Sequence, residues 1–335
     1  MRLYNEVNLV SYKDKVQEKN ENKLHEAFER DKTPLFIRKY LFTLSSKASA
    51  RNYYIALRGF FLWLIDNDII MEKSILELTA DSFNNVEPSD IFIYLKQRQD
   101  AGMSRTTLLT RRNILSSFFS ELVASPNSGL EKNPVSTCRY KGKVRNMENI
   151  FAKLPDKTQI DNMLERMEWK KDVVVRERNV AILQTLLGTG IRESELAGLE
   201  ISDLHFNEEY PYITVLGKGY YLEEDKRKVF ITGTAMEAIQ KWLDIRRMIE
   251  GAENITAVFI TKRNTPIQAD TVQAIFKNYG NGITPHQIRH YYSTIMSKKT
   301  DIQFVAQNLG HRDIETTVGN YVNAVYGVGE LLKTI

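Results

Sequence analysis

The chain carries five histidines, and three of them fall between positions 286 and 311. The densest cluster is His286-Gln287-Ile288-Arg289-His290. Its two imidazoles stand at i and i+4, as in helical zinc sites. A zinc protease needs Glu at the second position as general base, and here that position is Gln287. Arg289 also lies inside the cluster and would repel a metal ion. The expectation is therefore no metal and no cofactor. An arginine flanked by histidines suits a phosphate better: guanidinium forks onto two oxygens, and imidazole donates or relays a proton. A second arginine, Arg192, follows a glycine turn in Leu187-Gly188-Thr189-Gly190-Ile191-Arg192-Glu193-Ser194-Glu195-Leu196. No strand precedes Gly188 and a third glycine is missing, so this is not a dinucleotide loop.

The elements that must position these groups fall into two halves. Tyr53, Tyr54, Leu57, Phe60, Phe61 and Leu64 form the stripe of an amphipathic helix, with Ser49 as its expected cap. Leu108, Leu115, Phe118, Phe119 and Leu122 form another, with Arg111 and Arg112 on its outer side and a break at Pro126-Asn127-Ser128-Gly129. Further helices are expected over 34–44 and 91–99. From 133 to 155 the periodicity fails, and Arg139, Lys141, Lys143 and Arg145 sit among small and polar residues. This reads as an extended basic linker. Beyond it, helices are expected over 158–168 and 176–187. Strands are expected over 212–216 and 227–231, joined at Gly217-Lys218-Gly219 as a hairpin, with a third short strand over 258–261. After Thr271 the chain is again mostly helical.

With 335 residues, two domains are the natural expectation. The 46 Lys and Arg against 42 Asp and Glu leave a net charge of +4, which permits nucleic-acid binding without arguing for it. The single cysteine, Cys138, rules out an intramolecular disulfide. The longest apolar run, 60–65, is far short of the roughly 18 residues that span a bilayer. No apolar core of a signal peptide follows Met1. The expected setting is soluble and cytoplasmic, with no membrane.

Taken together, these pieces resemble the tyrosine recombinase, or phage integrase, family. Thr189-Gly190-Ile191-Arg192-Glu193-Ser194-Glu195-Leu196 is similar to the family's first box, with Arg192 its first catalytic arginine and Glu195 a supporting acid. Leu216-Gly217-Lys218-Gly219 is similar to the hairpin that carries the family's lysine; Lys226 and Lys228 compete with Lys218 for that role. His286-Gln287-Ile288-Arg289-His290 matches the H-x-x-R-H box, with His290 as a supporting residue, and Leu309-Gly310-His311 the L-G-H segment. Thr316-Thr317-Val318-Gly319-Asn320-Tyr321 supplies the nucleophile; Tyr326 lacks the preceding Thr-Thr. The resemblance is close from Pro155 onward and looser before it.

The resemblance implies a mainly α fold with a small β-sheet, arranged as a two-domain DNA clamp. Its parts would be an all-helical core-binding domain over 1–135, a basic linker over 136–155, an α+β catalytic domain over 156–322, and a tail helix over 323–335 packing in trans. It implies site-specific cutting and rejoining of double-stranded DNA by a homo-oligomer, tetrameric in the synapse, through a 3′-phosphotyrosine on Tyr321. Arg192, Lys218, His286, Arg289 and His311 would be the other catalytic groups. Arg51, Arg58, Arg105, Arg111, Arg112, Arg139, Lys141, Lys143 and Arg145 are candidate DNA contacts. A type IB topoisomerase would use the same active-site logic, and a non-catalytic DNA-binding regulator would need none of it.

Overall fold

The structure, a computed structural model, describes residues 12–126, 128–140, 154–217 and 223–310. The chain divides into two compact units, Met1–Arg145 and Asn146–Ile335.

In the first unit, α1 (Tyr12–Asp31), α2 (Leu35–Phe42), α3 (Lys47–Asp66), α4 (Pro88–Asp100) and α5 (Arg105–Ala124) surround an aromatic core. The expected stripes on α3 and α5 are its walls: Tyr54, Leu57, Phe60, Phe61 and Leu64 face Leu108, Leu115, Phe118, Phe119 and Leu122. Phe118 packs its ring against those of Tyr40, Phe61 and Phe83, with centroids 5.3–5.4 Å apart. The cap of α3 is Ser46, not Ser49. The Ser46 hydroxyl accepts the Ser49 N–H at 3.1 Å, which starts the helix one turn earlier than its apolar stripe. Ser104 caps α5 in the same way.

The stretch expected to be an extended linker begins as packed chain. Cys138 and Tyr140 are buried in the first unit's core, and Arg112 donates to the Val135 carbonyl at 3.1 Å. Residues 141–153 lie outside the described residues.

The second unit is built on α7 (Val173–Thr189), whose Ala181, Ile182, Leu183 and Leu186 are buried. Around it lie α6 (Lys157–Glu168), α8 (Glu193–Ala197), α9 (Gly233–Arg247), α10 (Ala269–Tyr279), α11 (Pro285–Ser297) and α12 (Ile302–Leu309). The expected hairpin is present: β2 (Tyr212–Leu216) pairs antiparallel with β3 (Lys226–Phe230), Ile213 opposite Val229 and Leu216 opposite Lys226. The third strand is β1 (Leu204–His205), on the other side of β2.

The expected strand over 258–261 forms only isolated bridges, Glu200 with Ala257 and Ile260 with Pro266. Side chains have taken the Val258 and Ile260 carbonyls and those of Ile255 and Ala257 just before them. Trp242 Nε1 donates to Val258 at 2.8 Å, Arg246 to Ile255 at 2.6 Å and Ala257 at 3.0 Å, and Arg178 to Ile260 at 3.3 Å. The segment is apolar because it is buried, not because it joins a sheet, and the sequence pattern of the two cases is the same.

Phe118→Ala should cost about 3–5 kcal/mol, since a large aromatic leaves a cavity among rings that close only partly around it. Chemical denaturation of the full chain followed by a probe in the first unit checks this; a loss below about 1 kcal/mol would contradict this core.

Candidate active site

The centre of the site is the carboxylate of Glu195, whose side chain is 2% exposed. It stands at the third position of α8, and its Oε2 accepts the Arg192 backbone N–H at 2.9 Å, folding back onto the start of its own helix. Oε1 takes the Arg192 guanidinium at 2.9 Å. Arg192 is thereby fixed at the mouth of α8 with its side chain one third exposed, able to meet a ligand from solvent.

Arg289 reaches the same carboxylate from α11, with Nη1 at 4.0 Å from Oε2 and a side chain only 5% exposed. It donates to the Gly190 carbonyl at 2.8 Å and the Leu309 carbonyl at 2.7 Å. Both carbonyls belong to helix ends: Gly190 is the left-handed cap of α7, and Leu309 closes α12 before the left-handed cap Gly310. At Gly190, with φ +65°, a Cβ would collide with the Tyr292 ring and Leu309. The two glycines therefore allow two helices to end against one guanidinium.

Arg227, on β3, is a third cation on Glu195, and none of the sequence motifs includes it. Its Nη1 and Nη2 donate to Oε1 and Oε2 at 3.1 and 3.0 Å. The hairpin register carries a signal. Arg227 sits opposite Val215, two positions from buried Val229 and so on the inward face. An inward cation needs a buried anion. Burial by itself would raise the Glu195 carboxyl, but the Arg227 hydrogen bonds and charge, then Arg192, outweigh it and hold the group below the usual carboxylate range.

On α11, His286 and His290 face each other, Nε2 to Nε2 at 2.8 Å, so one ring donates and the other accepts. Gln287, which stands where a zinc protease would carry Glu, works locally instead. Its side chain accepts the Thr284 N–H at 2.8 Å and completes the helix's capping box. Burial, then the charges of His286 and Arg289, lowers His290 to about 4. His286 is also lowered, by burial and then Arg289, while Glu193 acts the other way.

The lysines near the hairpin divide. Lys226 donates to Asp203 Oδ1 at 2.6 Å, which also accepts from Thr214 Oγ1 at 2.7 Å. Lys228 lies over the Tyr212 ring, 4.5 Å from its centroid. Lys218, His311 and Tyr321 lie outside the described residues, as does Tyr326. Of the candidate DNA contacts in the first unit, Arg58 is bound to Asp31 at 2.7 Å, Arg111 to the Tyr94 hydroxyl at 2.8 Å and Arg112 to Val135. Arg51 and Arg105 are half-buried and Arg139 is exposed, while Lys141, Lys143 and Arg145 lie outside the described residues.

The phage integrase family profile matches residues 156–327. The tyrosine recombinase XerC of Vibrio cholerae is 31% identical over 255 residues, covering 74% of this chain and 76% of its own. XerC of Escherichia coli O127:H6 is 30% identical over 223 residues, covering 64% of this chain and 69% of its own. Among solved structures, the XerH site-specific recombinase bound to palindromic difH substrate shares the fold with a TM-score of 0.66, over 87% of this chain and 80% of that one at 19% identity. A lambda integrase dimer bound to a core site shares it with a TM-score of 0.57, over 81% and 87% at 16% identity.

The histidine pair gives the folded chain an acid-side weakness. Unfolded histidine takes its proton near pH 6.5 and folded His290 only near 4, so stability is full above about pH 6.5 and falls as the pH drops towards 4. In urea unfolding at pH 7 and pH 5, His290→Phe should lose less between the two than the unaltered chain; equal losses would remove His290 as the cause.

Proposed function

We propose, for a chain that belongs to the phage integrase family, the tyrosine recombinases, that Tyr321 is the nucleophile of a site-specific recombinase acting on double-stranded DNA. The phenol oxygen attacks the scissile phosphorus and the 5′-oxygen leaves, so a 3′-phosphotyrosine keeps the bond energy for rejoining. A free phenol has a pKa of about 10, so its proton must be removed or its anion stabilised during attack. Arg192 and Arg289 clamp the non-bridging oxygens, where charge builds in the transition state, and His311 donates to the same phosphate. His286 assists Tyr321 as acid and base; burial and Arg289 lower its proton affinity, which leaves the ring open to accept the phenol proton. Lys218, an ammonium on a four-carbon stem, protonates the leaving 5′-oxygen.

The observation that carries this reading is the gathering of Arg192, Arg227 and Arg289 on one buried carboxylate, with Arg192 turned towards solvent. Three guanidinium groups share that one anion, and an incoming phosphate restores the balance. The reaction balances in atoms and charge with neither nucleotide nor metal. His290 acts as a support, sharing a proton with His286.

A core-binding part over 1–135 and a catalytic part over 156–322 each contact the DNA, and the basic stretch over 136–155 lies on the phosphates. Arg51, Arg105, Arg139, Lys141, Lys143 and Arg145 contact the duplex. Arg58, Arg111 and Arg112 combine such contact with the bonds they make inside the first unit. No described helix is long and apolar enough to cross a membrane, and the enzyme works in the cytoplasm on DNA. The tail over 323–335 carries Val325, Val328, Leu331 and Leu332 at near-helical spacing and packs on a neighbouring copy, which links four subunits in the synapse.

Tyr321→Phe should abolish covalent attachment to nicked suicide duplexes while leaving duplex binding intact, as read by denaturing gels and by mobility shift. A covalent adduct surviving in this variant would remove Tyr321 as nucleophile. Deleting 328–335 should leave binding and cleavage of single sites while recombination between two sites falls at least about tenfold; unchanged recombination would remove the tail from assembly.

A further inference from the structure

Arg227 does more than neutralise Glu195. Besides its two bonds to the carboxylate, Nε donates to the Asn308 carbonyl and Nη2 to the Leu309 carbonyl, both at 3.3 Å. The Leu309 oxygen also accepts from Arg289 at 2.7 Å, so two guanidinium groups meet on one carbonyl. The turn is shaped around the arginine. Gly310 has φ +65°, and a Cβ there would stand 2.6–3.0 Å from Arg227 Nε, Cζ and Cδ. Asn308 reinforces the join: its Oδ1 accepts the Phe230 N–H from β3 at 2.9 Å and its Nδ2 donates to the Tyr292 hydroxyl at 2.8 Å. The Arg227 side chain thus ties β3, Glu195 of α8 and the end of α12, and His311 is the next residue after Gly310.

We propose that Arg227 is a positioning residue for DNA cleavage, holding Glu195 and the 308–310 turn in one register so that Arg192 and Arg289 present to the same phosphate. It does not touch the DNA itself. The inference rests on the recombinase reading above. A lysine at this position would supply the charge but not the fork: a compact ammonium cannot bridge both carboxylate oxygens and two carbonyls at once. With the fork gone, Glu195 is left with Arg192 as its nearest cation, and the carboxylate draws that guanidinium inward, away from a ligand. Ground-state DNA binding, spread over many phosphates, changes little. The chemical step, which depends on two clamped oxygens, changes much.

The test uses the full-length chain and nicked duplexes carrying a sequence that the unaltered protein captures covalently from a random-duplex pool. Arg227→Lys, Arg227→Gln, Glu195→Gln and the double variant Glu195→Gln/Arg227→Gln are compared by duplex Kd, by single-turnover cleavage at saturating protein, and by urea unfolding. For Arg227→Lys, Kd should stay within about threefold and cleavage should fall on the order of 10²-fold. In the Glu195→Gln background the further loss from Arg227→Gln should shrink to less than about tenfold, because both act through one carboxylate. Cleavage by Arg227→Lys within about threefold of the unaltered chain would overturn the proposal. So would full additivity of the double variant, or a fall in cleavage matched by an equal fall in binding and in folded fraction. Should Arg227→Gln fail to fold, Arg227→Lys decides by the split between Kd and cleavage. Failure of the unaltered chain to capture any duplex would overturn the recombinase reading instead, before an Arg227 variant is measured.

Discussion

A carboxylate shut away from water is the constraint on which the second unit is organised. Moving a charged group into a protein interior costs several kcal/mol even after relaxation, and that cost is offset only by close, well-aligned partners. Glu195 obtains them from three directions: its own helix start, the hairpin, and α11. Each partner brings an element with it. The short helix α8 begins where it does because Arg192 and Glu195 close on each other. Strand β3 turns a cation inward because that cation has an anion to meet.

The remaining donors of these arginines go to main-chain carbonyls at helix ends. The C-terminal ends of α7 and α12 carry partial negative charge and unpaired carbonyls, and Arg289 takes both as partners. Two helices are stopped against one guanidinium. That arrangement leaves the cations rigid without cancelling them, because a carbonyl is a dipole and not a counter-ion. A rigid cation whose reorganisation cost has been met during folding is what stabilisation of a transferring phosphate requires.

How much of this is legible in the sequence depends on the range of the interaction. Helical stripes such as Tyr54 to Leu64 are local, and α3 and α5 follow them. The start of α3 lies one turn before the position its stripe suggests, because both Ser46 and Ser49 suit a cap and only geometry chooses between them. The apolar run over 258–261 joins no sheet, because burial and strand pairing leave the same pattern in the sequence. The box around Arg192 and the His286 to His290 cluster stand out because each is compact in sequence. Arg227 does not stand out: two lysines flank it, and its inward face shows only in the register with β2. The association of Arg192, Glu195 and Arg289 in space matches their association by motif. Lys218, His311 and Tyr321, by contrast, rest on motif alone, since they lie outside the described residues.

The spread of these partners along the chain has an effect on when the centre first exists. Arg192 and Glu195 are three residues apart and can meet as soon as one helical turn forms. Arg227 joins from 32 residues further on, and the bond from Arg289 back to Gly190 spans 99. A nascent polypeptide emerging from the ribosome therefore carries half of a clamp and nothing to close it. The clamp closes only after residue 289 has been made and has folded back onto Gly190 and Glu195.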